Sequence, residues 1–369
     1  MTMATNKSTM TFADVFDLQM GKTPSRDIPS YWSGDNVWVS IADMKDRKYV
    51  DSSKETISDE AIKATGIREV PEGTVFMSFK LSIGKVAIAA KNLYTNEAIM
   101  QFPIKPGYEL SPEYLYYYLL GHKWQGANKA VMGATLNKKK IAQEHISFPS
   151  IDVQQRIVDE LDLLTGIIDK KNAQLRDLDT LAQSTFYEMF GDPNTNERGW
   201  KYKALGDACA LKAGKGIKAS ELSEEKAAGL YPCFGGNGIR GYIAKKSHKG
   251  TYPIIGRQGA LCGNVQLATG EFYATEHAVV CTPGDGLHAV FVYYALLAMN
   301  LNQYATGVAQ PGLAVKTLLP IPIVTPPMEL QERFAEKICN IESQIELLNV
   351  SLEQIDVLFH SRMDYYFND

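Results

Sequence analysis

The feature that most limits the folds open to this chain is an internal repeat: residues 149–190 and 326–367 carry one pattern twice, at a constant offset of 177 residues. Pro149 stands opposite Pro326, Gln154 opposite Gln331, Arg156 opposite Arg333, Ser184 opposite Ser361 and Phe190 opposite Phe367, without a gap. A repeat at fixed period dictates architecture, because each copy has the same face to bury. Inside the first copy steps of three and four run through Ile157, Leu161, Leu164, Ile168, Lys171, Leu175, Leu178, Ala182, Thr185 and Met189, most of them apolar. The second copy does the same through Phe334, Ile338, Ile341, Ile345, Leu348, Leu352, Ile355, Phe359, Arg362 and Tyr366, nearly all of them apolar, and no proline interrupts either run. This spacing predicts two long helices with coiled-coil seams, each of about 36 residues and so about 54 Å long. The seams match and a long globule separates them, so the helices are expected to pack together antiparallel. A separate amphipathic helix on each globule is the plainer alternative.

The layout is therefore globule–helix–globule–helix. The expected fold class is α+β: two globular α/β domains, each followed by a long helix, with an antiparallel coiled coil and pseudo-twofold symmetry. The boundaries read as 1–148, 149–198, 199–325 and 326–369. The repeat persists more faintly in the globules. Pro106-Gly107 matches Pro283-Gly284 and Tyr116-Tyr117 matches Tyr293-Tyr294, still 177 apart. Gly133-Ala134-Thr135-Leu136 likewise faces Gln310-Pro311-Gly312-Leu313. Further back the offset drifts, where Gly84-Lys85-Val86 resembles Gly263-Asn264-Val265 and Gly21-Lys22 resembles Gly214-Lys215. The ends of the globules agree while their middles diverge, as two copies of one scaffold serving two targets would.

The net charge of −4 argues against a polyanion-binding protein until it is divided along the chain. Residues 1–149 hold 18 Lys and Arg against 16 Asp and Glu, a balance of +2, and residues 199–325 hold 12 against 7, or +5. Residues 150–198 hold 5 against 10, or −5, and residues 326–369 hold 3 against 9, or −6. Local sign decides contact with a polyanion, so the globules are suited to phosphates and the helices are not. The candidate contacts lie in glycine-rich, cation-bearing loops. In the first globule these are Lys22, Thr23 and Arg26 in a Gly-Pro-punctuated turn, Lys80 and Lys85 flanking the strand-like Val75–Phe79, and Lys138 and Lys139 before the first long helix. In the second they are Lys212, Lys215 and Lys218 among glycines, Asn237 and Arg240, Lys245 and Lys246, and Arg257 with Gln258. Lysine suits phosphate, whereas Arg and Gln can make paired hydrogen bonds to guanine and adenine edges.

Other chemistry finds no support. Gly214-Lys215-Gly216 lacks P-loop spacing. The six histidines share no metal-ligand spacing, and the five cysteines form no C-x-x-C pair. His277 beside Glu276 could be a general-base pair, but Ala278-Val279-Val280 next to it reads as a buried strand. Neither an F-x-G-x-G loop for S-adenosylmethionine nor an N-P-P-Y or D-P-P-Y tetrapeptide is present. The Tyr116-Tyr117 and Tyr293-Tyr294 pairs fall in helical stretches, the first behind a Ser111-Pro112 start, and are expected to pack rather than stack on bases. No apolar run of membrane-spanning length occurs, and Met1 to Met10 lacks a signal-peptide core. A reduced, cytoplasmic setting is expected.

At this point the residues resemble a family. Tyr31-Trp32-Ser33-Gly34-Asp35, Trp38-Val39-Ser40 and Gly84-Lys85-Val86 carry the likeness in the first half. In the second half it is carried by Tyr231 to Ile243, Gly256-Arg257-Gln258-Gly259 and Thr275-Glu276-His277-Ala278. A Pro-x-x-x-x-Gln-x-Arg run announces each long helix. Together they resemble the DNA-specificity subunit of a type I restriction–modification enzyme. The family usually reads Glu-Gln in that run; here it is Val-Gln-Gln-Arg and Leu-Gln-Glu-Arg. The resemblance implies two target-recognition domains, each reading half of a bipartite DNA site, with helices that set the unread gap and dock two modification (methyltransferase) subunits. It implies a chain without catalysis or cofactor of its own. S-adenosylmethionine, and ATP with Mg for restriction, would sit on the modification and restriction (motor-nuclease) partners. A specificity module for another DNA-modification enzyme, or a repeat scaffold that binds no DNA, remain as alternatives.

Overall fold

The computed structural model describes residues 10–44, 47–80, 82–124, 136–259, 261–307 and 311–368. The Gly133-Ala134-Thr135 and Gln310 positions of the repeat, and residues 1–9 of the chain's start, lie outside them. The chain divides into two compact units, Met1–Lys170 with Ser351–Asp369, and Lys171–Val350.

In the first unit a five-stranded sheet runs in the order Gln19–Met20, Ile99–Phe102, Val75–Ser78, Val86–Ala89, Tyr49–Val50. Its three central strands are buried at every residue, the pattern of a sheet covered on both faces. Strand alternation explains how. Val75, Met77, Val86, Ile88, Met100 and Phe102 face one core with the helix Pro112–Gly121. Phe76, Ala87, Ala89 and Ile99 face another with Val39 and Val50. Ser111 caps that helix by accepting from the Tyr114 N–H at 3.1 Å, with Pro112 in its first turn.

The second unit holds a six-stranded sheet in the order Cys209–Ala213, Ala278–Pro283, His248–Gly256, Val265–Ala274, Tyr231–Gly235, Gly238–Ile243. Again the faces split: Ile255, Val265, Val279 and Cys281 pack toward the helix Ala289–Ala298, while Phe234, Ile254, Phe272 and Val280 build the opposite layer.

The predicted long helices are Ile151–Phe190 and Met328–Phe367, 40 residues each and so about 60 Å long. In the first unit, Ile157, Val158 and Leu161 from the opening turns of one share a core with Phe359, Met363 and Tyr366 from the closing turns of the other. In the second unit the roles reverse: Ala182, Phe186 and Phe190 meet Phe334, Ile338 and Ile341. The helices thus run antiparallel, as their seams required. Phe190 lies 4.8 Å from Phe291 and 5.3 Å from Phe334 between ring centroids; burying each such ring stabilises by about 1.5–3 kcal/mol. Gly191 ends the first long helix at φ 75°, its N–H bonded to the Tyr187 carbonyl at 2.8 Å, a left-handed cap that favours glycine.

The repeated glutamine has a physical role. Gln154 is fully buried; its carbonyl accepts from Ser111 N–H at 2.9 Å and its amide donates to the Glu109 and Pro149 carbonyls at 2.8 and 2.9 Å. Gln331 repeats this with His288 N–H at 2.8 Å and the Gly286 and Pro326 carbonyls at 3.0 and 2.8 Å. One side chain therefore ties the start of each long helix to the start of the preceding ten-residue helix. The tyrosine pairs pack as expected: Tyr117 is buried and its hydroxyl donates to Asp162 at 2.5 Å. No helix among the described residues is long and apolar enough to cross a membrane.

Candidate DNA interface

The cation-bearing loops rest on one backbone scaffold built twice. In the first unit Gly21 N–H bonds to Ile99 O and Lys22 N–H to Thr95 O, at 3.4 and 2.9 Å. In the second, Gly214 N–H bonds to Ala278 O and Lys215 N–H to Ala274 O, at 3.0 and 3.1 Å. Both glycines are forced by close approach: a Cβ would stand 1.9 Å from Thr95 O at Gly21 and 2.0 Å from Ala274 O at Gly214. Phe79 N–H bonds to Ala98 O and Leu136 N–H to Phe79 O; their counterparts are Arg257 N–H to His277 O and Leu313 N–H to Arg257 O. Gly84 N–H to Ser78 O matches Gly263 N–H to Gly256 O. The faint alignments around Gly21, Gly84, Gly214 and Gly263 thus correspond to shared hydrogen bonding.

On this scaffold the side chains of the first unit are mostly engaged. Lys22 donates to the Thr65 and Gly66 carbonyls at 2.7 and 3.3 Å, at the end of the helix Asp59–Thr65, where a cation meets the negative end of the helix dipole. Thr23 donates to Glu97. Arg26 forms a forked pair with Glu55, the second arm at 2.9 Å, and its guanidinium lies 3.6 Å over the Trp32 ring. That hydrogen bonding pushes the Arg26 pKa up and the Glu55 pKa down, so both stay charged. Lys80 is half-buried near the Phe79 ring, and Lys85 is half-buried at the start of Val86–Ala89. Lys138 and Lys139 are exposed in the first turn of a short helix capped by Asn137.

In the second unit Lys212, Lys215 and Lys218 are exposed. Lys212 adds to burial in lowering the His248 pKa. Lys245 pairs with Glu221, and Lys246 with Glu271 at 2.9 Å, so local carboxylates already offset these two cations. Asn237 lies at the tip of the Tyr231–Ile243 hairpin, its side-chain oxygen accepting from Asn264 at 2.8 Å. Arg240 is exposed, its stem lying over Gly235, where a Cβ would stand 2.4 Å from Arg240 Cδ. Burial raises the Cys233 pKa, and the Arg240 charge works against it. Gln258 is exposed. Arg257 is half-buried, with Nη1 3.4 Å from the Glu276 carbonyl.

Ala278-Val279-Val280 open a buried strand, as the sequence suggested. The Glu276-His277 turn stands outside it. His277 Nε2 lies 3.2 Å from Glu276 Oε1, with about a third and a half of the two side chains exposed, 34% and 46%. The glycine segments converge on this turn. A Cβ at Gly236 would meet His277 O at 3.2 Å, one at Gly216 the Glu276 carboxylate at 3.4 Å, and one at Gly256 the Gly236 carbonyl at 1.8 Å. Glycines 20 and 40 residues apart in sequence thus let three segments close onto Arg257, Glu276 and His277. The sequence signal for this turn is the Thr275-Glu276-His277-Ala278 segment, one of those that carry the family likeness.

The family described as type I restriction modification DNA specificity domain matches the chain twice, over residues 5–177 and 197–357. The chain is 34% identical over 335 residues to the type I restriction enzyme EcoprrI specificity subunit of Escherichia coli, spanning 86% of this chain and 83% of that one. It is 25% identical over 382 residues to the MjaIX specificity subunit of Methanocaldococcus jannaschii, spanning 91% and 88%. Among solved structures, the type I restriction–modification S subunit from M. genitalium superposes with a TM-score of 0.62 at 16% identity, over 100% of this chain and 98% of that one. That likeness bears on the fold alone. The duplicated scaffold and the two family matches coincide, and the chain belongs to the type I restriction–modification DNA specificity family.

Proposed function

We propose that this chain is the DNA-recognition subunit of a type I restriction–modification complex, in which each unit reads one half of a bipartite, asymmetric duplex site. The observation that carries this reading is the twice-built loop scaffold bearing different side chains in its two copies. Identical frames with unlike polar groups suit two half-sites with unlike bases, and a chain that repeats itself suits a duplex read at two places. The charge division agrees: the loops bring lysine and arginine to phosphates, while acidic long helices, at −5 and −6, are held off the duplex by like charge.

In this reading the chain carries out no chemistry itself. The long helices fix the number of unread base pairs and seat two modification subunits, which supply S-adenosylmethionine and methylate an adenine in each half-site. Restriction subunits using ATP and Mg complete the nuclease form. The loops of Lys22 to Arg26, Lys80, Lys85, Lys138, Lys139, Lys212 to Lys218, Asn237, Arg240, Lys245, Lys246, Arg257 and Gln258 form the DNA-facing surface. Those lysines and arginines already paired within the chain would exchange a carboxylate for a phosphate on binding.

The test is methylome sequencing of cells expressing the chain with its modification partner, alongside duplex binding by the purified complex. A gapped two-part motif is expected, with affinity falling linearly in log–log form as salt rises. A complex that binds duplex DNA with no salt dependence, or methylates no gapped motif, would sink the proposal.

A further inference from the structure

Five buried side-chain nitrogen or oxygen atoms find no hydrogen-bond partner among the described residues, and four belong to one patch of the second unit: Arg257 Nε, Thr275 Oγ1, Glu276 Oε2 and His277 Nδ1. Unpaired buried polar atoms cost stability and call for a reason. The first unit shows that the scaffold does not impose them. At the position of Arg257 it has Phe79, 1% exposed in its core, and at the position of His277 it has Ala98. At the position of Glu276 it has Glu97, whose carboxylate accepts from Thr23, whereas the second unit has Gly216 in place of that threonine. One copy of the frame fills this place with an apolar ring and a satisfied carboxylate. The other holds a guanidinium, an imidazole and an unpaired carboxylate oxygen at the rim of the cation-bearing loops.

We propose that Arg257 and Glu276 are the specificity-determining pair of the second unit, that His277 positions Glu276, and that the pair reads one G·C base pair through its major-groove edge. The inference rests on the function proposed above and names the residues and base chemistry of that site. Guanine offers two acceptors, O6 and N7, that match the guanidinium fork; cytosine offers an N4 donor that a carboxylate accepts. Donor and acceptor stand side by side here, Arg257 Nη1 against the Glu276 carbonyl at 3.4 Å and His277 against the Glu276 carboxylate at 3.2 Å. The first unit, with Phe79 and Ala98, has no equivalent pair.

The experiment takes the full complex with its modification subunits, once the wild-type motif is known, and measures methylation and binding on duplexes with each base pair of the site substituted in turn. Three chains are compared: wild type, the double variant Arg257→Phe/His277→Ala that copies the first unit, and Glu276→Gln. Both variants should lose roughly 10- to 100-fold of discrimination at one and the same G·C pair of the second half-site. The first half-site and the salt slope should be unchanged. Should the double variant fail to fold, Glu276→Gln, which keeps the shape and changes only the acceptor, decides alone. An unchanged motif, relaxation at an A·T pair, or uniform weakening with a salt slope reduced by about one, the mark of a phosphate contact, overturns the inference. A wild-type complex with no gapped motif would instead remove the broader reading.

Discussion

Replacing Gln331 with alanine tests whether one side chain secures the junction between the second unit and its long helix. The residue is fully buried and makes three hydrogen bonds, to His288 N–H at 2.8 Å and to the Gly286 and Pro326 carbonyls at 3.0 and 2.8 Å. Truncation leaves one N–H and two carbonyls without partners. An unsatisfied buried group costs about 1–3 kcal/mol, with carbonyls at the lower end because they retain a second lone pair. The loss is therefore about 3–5 kcal/mol, a large part of the roughly 5–15 kcal/mol by which a domain is stable. For a unit of this size the melting temperature should fall by roughly 10 °C. Calorimetry or urea titration reads the loss, and hydrogen exchange should report faster exchange at the His288 amide. Gln331→Glu keeps the shape but cannot donate to two carbonyls while ionised, so it too should destabilise at neutral pH and partly recover when protonated. Gln154→Ala should do the same in the first unit, freeing Ser111 N–H and the Glu109 and Pro149 carbonyls. A loss below about 1 kcal/mol in both units would refute the reasoning, because surface-like costs mean the groups are not desolvated.

Further outcomes are expected elsewhere. Arg240→Ala should weaken binding of the complex or relax the bases required in the second half-site while leaving the first unchanged; methylome sequencing reads this, and an unaltered motif means Arg240 is not a reader. Inserting one matched heptad into both long helices, within 157–189 and its partner stretch, adds about 10.5 Å of helix and should lengthen the unread gap by about three base pairs at roughly 3.4 Å each; an unchanged gap would count against the spacing role. Arg362 donates to both oxygens of Glu160, at 2.5 and 3.0 Å, and this hydrogen bonding holds the Glu160 carboxyl below the usual glutamate range. A carboxylate depressed in the folded state stabilises above its unfolded pKa, and that gain vanishes as pH falls through the folded value. Since Glu160 is 38% exposed, screening limits the gain to at most about 1 kcal/mol. The stability gap between wild type and Arg362→Met should therefore shrink on acidification from pH 7 to about 3, as measured by urea midpoints; a gap that widens would reverse the assignment.

Several parts of this protein were legible in the sequence for identifiable reasons. The two long helices follow from three- and four-residue spacing, a local property that needs no tertiary knowledge, and they emerged within a few residues of expectation. Ser111-Pro112 marked a helix start for the same reason. Gly21 and Gly214 were visible as a weak match at a drifting offset, because close backbone approach tolerates only glycine. The role of Gln154 and Gln331 was not legible: each bonds a residue 43 positions earlier, a distance no periodicity encodes. Nor was the state of the cations. Lys22 and Arg26 look like free loop charges in sequence, yet one caps a helix and the other is clamped by Glu55 and Trp32.

By itself, then, the sequence determined the duplication, the antiparallel seam, the acidic helices and the cationic loops, all of them patterns of short-range spacing or composition. Tertiary structure alone decided which loop residues stand together. Arg257 meets Glu276 and His277 because strands His248–Gly256 and Ala278–Pro283 pair antiparallel and their ends leave the sheet side by side. Backbone register, set by which strand faces the core, brings them within hydrogen-bonding reach. The same register in the first unit brings Phe79 to Ala98, so one frame yields an apolar plug in one copy and an ionisable cluster in the other.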